Sequence, residues 1–314
     1  MKKILKIFIV FLSIISLNSC SKLTVNGLRF LSRNVINDRD KFLKNIVYIH
    51  GLVETIDAKK GYTLKLYDYK GVKFYNYRKK ESKNVLIYFH GGAFVIDTIK
   101  GLYFKMNEQI LDKSPRNYEI LMVDLKGKKY PDQSVELEKV LEYAFSNYDK
   151  VVVAGDSSGG NVVLSTLLKR RDENKKLPQG IFLLSPWTDL TNNAPSRRFN
   201  FKKDALFGEA YPKLLVDNPY IEDVKNRKDP YVSPIYGNYK NFPKTLIQYG
   251  SDEILSDDSK FVYNAMKTSG VDVKLEEYEG MIHVFQLFPM LDKRDEALKN
   301  ISNFLGEIYK WKKY

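Results

Sequence analysis

A short apolar run that leads directly into a serine-centred turn constrains the fold of this chain more than any other feature. Residues 151–154 read Val-Val-Val-Ala, and Gly155-Asp156-Ser157-Ser158-Gly159-Gly160 follows without a break. A buried strand followed by Gly-x-Ser-x-Gly predicts a sharp strand-to-helix turn from which the serine hydroxyl projects. Small neighbours suit such a turn because it leaves no room for branched side chains. We predict that Ser157 is a nucleophile; the alternative is a glycine-rich loop that caps a helix.

A serine nucleophile needs a base, and the chain has only three histidines, at positions 50, 90 and 283. His283 follows the strand-like stretch 273–278, and we predict that it is the base. The alternative is an ordinary loop histidine. His50 lies in an N-terminal region without a strand followed by a loop, which favours a structural or surface position.

The carboxylate that would orient this base belongs to a loop rich in acidic residues. The string Gly250-Ser251-Asp252-Glu253-Ile254-Leu255-Ser256-Asp257-Asp258 follows the apolar run 245–249. Asp252 is the first acid after the strand, and we predict it as the orienting carboxylate, with Asp257 as second choice. Asp257 and Asp258 are better explained as the first turn of a helix, where acidic groups suit the helix dipole.

A second glycine-rich string follows the predicted strand 84–89 and reads His90-Gly91-Gly92-Ala93-Phe94. Consecutive small residues let backbone N–H groups point into a site, as an oxyanion hole requires. We assign the donors to the N–H groups of Gly92, Ala93 and Ser158, with Gly91 shaping the turn. His90 is predicted to fix the loop. In isolation, this string could also be an ordinary glycine turn.

Together these strings resemble the hormone-sensitive-lipase-like branch of the α/β-hydrolase esterases. The likeness spans roughly residues 84–308 and includes Ser185-Pro186-Trp187-Thr188-Asp189-Leu190 and the tract 229–288. It implies a carboxylic ester hydrolase without cofactor or metal, in which Ser157, Asp252 and His283 form the triad and Gly91, Gly92 and Ala93 the oxyanion strand. The chain departs from the family where Ala93 replaces a glycine, a change that keeps the N–H group, and in the loosely similar stretch 124–131.

The alternation of apolar runs and helical patterns predicts an α/β fold with a mostly parallel sheet flanked by helices. Residues 62–69 and 72–77 are predicted to form an antiparallel hairpin at the sheet edge. Residues 22–58 and 191–228 do not fit the alternation. By resemblance, both belong to a helical cap over the acyl pocket.

The N-terminus has the features of a bacterial lipoprotein. Near its start the chain has three basic residues, Lys2, Lys3 and Lys6, which are followed by the apolar stretch 7–17. This stretch is shorter than the roughly 20 residues that a transmembrane helix needs. It ends in Leu17-Asn18-Ser19-Cys20, and Cys20 is the single cysteine of the chain. We predict a signal peptide over 1–19 and a hydrolase domain over 20–314, exported and anchored to a membrane of the bacterial cell envelope by a lipid on Cys20. An uncleaved anchor and a buried core segment are the alternatives.

The charge of the chain bears on its partners. The net charge is +13, and removal of residues 1–19 takes away three lysines and no acid, which leaves about +10. The basic residues are mixed with acidic ones along the chain, which argues against nucleic-acid binding. An excess of positive charge would favour anionic lipid headgroups near the anchor.

These observations predict a serine carboxylesterase that acts on small esters with short acyl groups through an acyl-enzyme. An amidase, peptidase or deacetylase on the same fold would share the acyl chemistry. A non-catalytic binding protein is the remaining alternative, although no predicted triad residue is missing.

Overall fold

The apolar runs form one eight-stranded sheet in the computed structural model, which describes residues 25–27, 58–95, 101–208 and 216–310. The strands are β1 (Thr63–Tyr69), β2 (Val72–Arg78), β3 (Asn84–Phe89), β4 (Glu119–Asp124), β5 (Lys150–Asp156), β6 (Gly180–Leu184), β7 (Lys244–Gly250) and β8 (Val273–Tyr278). Their spatial order is β1-β2-β4-β3-β5-β6-β7-β8. Strands β3 to β8 pair in parallel, and β2 pairs antiparallel with β4. The predicted α/β fold with a mostly parallel sheet is confirmed.

Helices cover both faces of the sheet. They are α1 (Gly101–Lys113), α2 (Asp132–Asn147), α3 (Ser157–Asp172), the single turn α4 (Ser196–Phe199), α5 (Ser256–Thr268) and α6 (Arg294–Ile308). Alternate strand residues enter two apolar clusters, one shared with α2, α3 and α5 and the other with α1 and α6. One face of α2 is buried at Leu137, Val140 and Leu141, and each such side chain stabilises the fold by about 1.5–3 kcal/mol.

The hairpin predicted at the sheet edge is present. Strands β1 and β2 pair antiparallel, with Tyr69 opposite Val72. The two turn residues, Lys70 and Gly71, both have positive φ, at 52° and 81°. This is the conformation that a tight two-residue hairpin needs in order to match the twist of its strands.

The parallel strands bring distant parts of the sequence to one edge of the sheet. Strand β3 ends at Phe89, β5 at Asp156, β7 at Gly250 and β8 at Tyr278. Each of these ends leads into one of the strings singled out in the sequence. In open parallel sheets, the carboxyl ends of the strands are where sites form.

Only part of the predicted cap lies within the described residues. Of the first segment, residues 25–27 and 58 are described; of the second, 191–208 and 216–228. The described part of the second segment contains α4 and a 3₁₀ turn at Pro219–Ile221. The signal peptide, Cys20 and His50 lie outside the described residues, and the domain boundaries stay predictions. Among the residues that the structure does describe, none belongs to a helix with the length and apolar character needed to cross a bilayer.

Candidate active site

The strand-to-helix turn places Ser157 at the first residue of α3 in a strained conformation. Its φ is 52°, a left-handed value that non-glycine residues rarely adopt. Three neighbouring glycines are needed because the backbone packs closely. A Cβ at Gly155 would lie 2.6 Å from the Gly159 oxygen, one at Gly159 2.2 Å from the Phe89 oxygen, and one at Gly160 2.8 Å from Pro186 Cβ. The predicted sharp strand-to-helix turn, called the elbow below, is therefore present.

A hydrogen-bonded series of three side chains begins at this serine. His283 Nε2 lies 2.9 Å from Ser157 Oγ, and His283 Nδ1 lies 2.6 Å from Glu253 Oε2. All three residues are buried, and Glu253 is 0% exposed. Because an ionised carboxylate can only accept, the imidazole proton lies on Nδ1, and Nε2 is left to accept from the serine hydroxyl.

The carboxylate in this series is Glu253, so the prediction of Asp252 was wrong, as was the second choice of Asp257. Asp252 is half-buried, and its carboxylate accepts a hydrogen bond from Ser251 Oγ at 3.1 Å. Asp257 lies in the first turn of α5 and accepts from the Ser196 N–H at 2.7 Å. Neighbouring residues in a loop point in different directions, and here the second acid of the pair faces the histidine.

The loop of residues 90–94, which is predicted to form the oxyanion hole and is called the oxyanion loop below, lies beside the same serine. Gly92, Ala93 and Phe94 all have positive φ, at 131°, 53° and 63°. Among the described residues, no hydrogen bond uses the N–H groups of Gly92 and Ala93. The N–H of Ser158 is in the first turn of α3, where no intrahelical acceptor exists. The Phe94 N–H bonds to Ser158 Oγ at 3.2 Å, which ties the loop to the helix start.

The carboxylate of Asp156 fixes this loop through a hydrogen bond to Gly91. It accepts the Gly91 N–H and the Tyr88 hydroxyl, both at 2.9 Å, and the Tyr103 hydroxyl at 3.1 Å. The Gly91 N–H is therefore bonded to Asp156 and is not aimed at the site, so Gly91, which the resemblance placed on the oxyanion strand, supplies no donor there. A Cβ at Gly91 would meet Asp156 Oδ2 at 2.4 Å. Burial raises the pKa of Asp156 to about 6, against the stabilising bonds from Gly91 and Tyr88.

Comparisons with known proteins fit this geometry. A family model described as the alpha/beta hydrolase fold matches residues 86–287. This chain belongs to the α/β-hydrolase family. An esterase of Acinetobacter venetianus is 30% identical over 231 residues, which are 71% of this chain and 75% of the relative. An acetyl-hydrolase of Streptomyces hygroscopicus is 31% identical over 157 residues, 50% of this chain and 52% of the relative.

A solved structure extends the likeness over nearly the whole hydrolase. A hormone-sensitive lipase from a metagenome library superposes with a TM-score of 0.79 at 25% identity, covering 93% of this chain and 99% of the other. The comparisons confirm the predicted fold and the hormone-sensitive-lipase-like family. They also support the predicted class of enzyme, a carboxylic ester hydrolase.

The electrostatics of Glu253 follow from its burial. Burial raises the pKa of Glu253, and the charge of the buried Asp204 adds to this, whereas the hydrogen bond and charge of His283 lower it. The hydroxyl of Ser185 also stabilises the ionised form. An ionised carboxylate without a partner would cost free energy in this buried position. The contact with His283 therefore stabilises the ionised form of Glu253.

The loop carrying Glu253 is held by the segment that follows β6 in this hydrolase. Asn200 Nδ2 donates to the carbonyl oxygens of Ser251 and Glu253, at 2.9 and 3.0 Å. The same loop is bonded at Ile254 by three further side chains: Ser196 Oγ and Arg197 Nη1 donate to its carbonyl oxygen, and Asp204 Oδ2 accepts its N–H. These bonds set the backbone direction that turns Glu253, and not Asp252, towards the imidazole.

Aromatic rings enclose the site. Phe207 packs edge-on to His283, with ring centroids 4.8 Å apart. Phe94 stacks on Tyr220 at 4.5 Å, and Asn218 Nδ2 bonds the carbonyl oxygen of Ala93 at 2.9 Å. The described part of the segment predicted as cap therefore contacts both the histidine and the oxyanion loop.

The described residues also bear on metal binding. Within the ranges given above, no group of three or more histidine, cysteine, aspartate or glutamate side chains is arranged to hold a metal ion. The chemistry available from the residues at Ser157 is that of a hydroxyl, an imidazole, a carboxylate and backbone N–H groups.

Proposed function

We propose that this hydrolase cleaves carboxylic esters through an acyl-enzyme on Ser157, with His283 as base and Glu253 as the carboxylate that orients it. The single observation that supports this most strongly is the unbroken hydrogen-bonded series from Ser157 Oγ through both nitrogens of His283 to Glu253. Nucleophile, base and orienting acid within hydrogen-bond reach are the arrangement that acyl transfer requires.

In the first half of the reaction, Ser157 Oγ attacks the ester carbonyl while His283 Nε2 takes its proton. The tetrahedral oxyanion accepts from the N–H groups of Gly92, Ala93 and Ser158, each typically worth about 3 kcal/mol in such a site. The C–O bond to the alcohol then breaks, and His283 returns the proton to the leaving oxygen. In the second half, water attacks the acyl-enzyme by the same route and the acid is released.

The variant Ser157→Ala tests this assignment. Turnover of p-nitrophenyl acetate should fall by about five to six orders of magnitude, because members of a triad act as a unit. A fluorophosphonate should label the wild-type protein at Ser157 and leave the variant unlabelled. Ser165→Ala, which alters a buried serine further along α3, is the matched control and should keep full activity. Normal hydrolysis by Ser157→Ala would refute the mechanism, and so would labelling at another residue.

Short acyl groups are the proposed substrates. The rings of Phe94 and Phe207 crowd the oxyanion loop and the histidine, and one relative is an acetyl-hydrolase. A series of p-nitrophenyl esters from acetyl to dodecanoyl should show kcat/KM falling beyond butyryl. A maximum at long chains would contradict the proposed acyl preference and leave the triad untouched. Because of that same acetyl-hydrolase relative, acetylated alcohols are the natural esters to assay after the chromogenic ones.

The proposed setting is the bacterial cell envelope, with a lipid on Cys20. A basic start, a short apolar stretch and a single cysteine at its end support this location. Two acyl chains on one residue give stable anchoring, whereas one gives marginal binding. Mass spectrometry of the N-terminal peptide should show a diacylglyceryl-modified Cys20, and Cys20→Ala should accumulate as an unprocessed precursor. An unmodified Cys20 in the wild-type protein would refute the anchor.

A further inference from the structure

An exposed group of basic and aromatic side chains lies on the segment that holds the Glu253 loop. Arg198, Phe199, Lys202 and Lys203 are all exposed, and Phe199 is 78% exposed, the largest value among the exposed large apolar side chains that the structure describes. We call these four residues the basic aromatic patch. A single exposed phenylalanine is ordinary on a protein surface. Three basic neighbours within four residues give it a defined chemical character.

The patch sits on a rigid base. Arg197, directly before the patch, and Asn200, within it, are buried; Arg197 pairs with Asp258 at 2.5 Å, and Asn200 bonds to the Glu253 loop. The acidic residues bonded to this segment are turned inward, since Asp204 accepts the N–H groups of Leu206 and Phe207. Asp257 likewise accepts a backbone N–H, from Ser196. The exposed side chains of residues 196–208 are therefore three basic ones and the phenylalanine.

Val25, the first residue that the structure describes, lies near this patch. Val25 is buried in one apolar cluster with Ala205 and Met281, against which Leu206 also packs. Ala205 is two residues from Lys203, so the two Cα atoms lie within about 8 Å. Cys20 is five residues before Val25, which limits its distance from Val25 to about 17 Å even in a fully extended chain. A lipid on Cys20 would therefore hold this face of the protein close to the membrane.

We propose that the basic aromatic patch docks on the anionic phospholipid surface of the membrane that carries the chain, with Phe199 entering the headgroup region. The proposal rests on the lipid anchor described under Proposed function. Basic side chains close to an anionic leaflet are attracted to it, and aromatic rings settle at the boundary between headgroups and acyl chains. Phe207 follows the patch by four residues and touches His283, so docking brings the histidine side of the site close to the lipid surface.

Tryptophan quenching by brominated phospholipid tests the docking in the full-length lipidated protein. Phe199→Trp, reconstituted into phosphatidylcholine vesicles containing phosphatidylglycerol, should gain an emission component that the brominated lipid quenches. The matched control is Leu66→Trp, because Leu66 is 55% exposed on β1, at the opposite edge of the sheet. The patch follows β6, and five strand spacings of about 4.8 Å separate β1 from β6, or roughly 24 Å. The signal of the wild-type tryptophans is subtracted from both.

The charge requirement has its own variant. The triple variant carries Arg198→Gln, Lys202→Gln and Lys203→Gln. Its equilibrium constant for docking should fall by about 100-fold, since each basic residue near an anionic surface contributes roughly fivefold. The quenching of Phe199→Trp in that background should fall to the level of Leu66→Trp. It should fall similarly in wild-type background on vesicles of phosphatidylcholine alone.

Several outcomes would overturn the docking surface. Equal quenching of Phe199→Trp and Leu66→Trp would do so, as would quenching that ignores both the anionic lipid and the three glutamines. Hydrolysis of soluble p-nitrophenyl acetate by the same samples keeps the two proposals separate. The patch side chains do not touch Ser157, His283 or Glu253, so all patch variants should hydrolyse this ester at the wild-type rate. Lack of hydrolysis by the wild type would instead count against the proposed function, and the mass of the N-terminal peptide reports the anchor independently.

Discussion

Replacement of Glu253 by glutamine tests the most specific feature of the site, the identity of the carboxylate that orients His283. The change keeps the size of the side chain and removes its charge. Glutamine can present an N–H to Nδ1, which would move the imidazole proton to Nε2, the nitrogen that must accept from Ser157. The variant is therefore expected to fold normally and to lose the base function.

The magnitude follows from the geometry. Glu253 and His283 are in contact at 2.6 Å with the carboxylate fully buried, and the centres of the two charges are about 4 Å apart once the imidazolium forms. At an effective dielectric constant of about 20, unit charges at that distance attract by roughly 4 kcal/mol, which corresponds to about 10³-fold in rate. The wrong tautomer adds to this loss, so kcat should fall by about 10³- to 10⁴-fold.

Asp252→Asn is the matched control. Asp252 is the neighbouring residue, its carboxylate accepts from Ser251, and it stands outside the hydrogen-bonded series. We expect kcat to change by less than about threefold. Glu253→Asp should fall between the two, since shortening the side chain withdraws the carboxylate by about 1.5 Å and lengthens its contact with Nδ1.

The assay is steady-state hydrolysis of p-nitrophenyl acetate across pH, with thermal melts to show that each variant is folded. Because burial raises the pKa of Glu253, loss of its charge is not expected to lower the melting temperature strongly. A large loss of activity in Asp252→Asn, together with near-normal activity in Glu253→Gln, would refute the reasoning and restore Asp252 as the orienting acid.

Two further predictions concern the elbow and the carboxylate beneath the oxyanion loop. The buried Asp156 has its pKa raised to about 6 from 3.8, so the wild type loses stability as pH rises through that window, by about 2 kcal/mol between about pH 4.5 and 7.5. Asp156→Asn should remove this loss, and urea unfolding at both pH values measures it; equal pH dependence in the two proteins would contradict the assignment. Gly159→Ala should lower esterase activity by at least about 100-fold, because its Cβ would meet the Phe89 oxygen at 2.2 Å and displace the oxyanion loop. In Gly270→Ala the new Cβ has open space, so only the cost of its left-handed φ, about 1 kcal/mol of stability, is expected, with unchanged activity.

The central sheet could be predicted from the sequence because its strands are buried on both faces. Residues 151–154 lie in β5 and are fully buried, and a strand with no solvent-exposed face reads as a continuous apolar run. Strand β8 gave a weaker signal because it is the edge strand, in which half-buried and exposed residues are mixed and only Tyr278 is buried. The proximity of Ser157 and His283 could be predicted because a parallel sheet gathers the ends of its strands at one edge.

The orienting acid could not be predicted because its position depends on bonds from a distant part of the chain. Asp252 and Glu253 are adjacent, and either side chain could reach an imidazole. Asn200 and Arg197, more than 50 residues earlier, select the second by bonding the loop's carbonyl groups. One local signal was present: Glu253 leads into the apolar pair Ile254-Leu255, both of which are buried, as Glu253 is.

The site combines features that oppose folding with features that hold them in place. Ser157, Ala93 and Phe94 adopt left-handed backbone angles, and two carboxylates, Asp156 and Glu253, are buried with raised pKa values. Each such backbone angle costs on the order of 1–3 kcal/mol, and an ionised buried carboxylate adds to this. The surrounding sheet, glycine contacts and the segment after β6 must supply the compensating stability. Substitutions that relieve these features are therefore expected to make the protein more stable and less active, because the same strain and charge hold the serine, histidine and oxyanion donors in position.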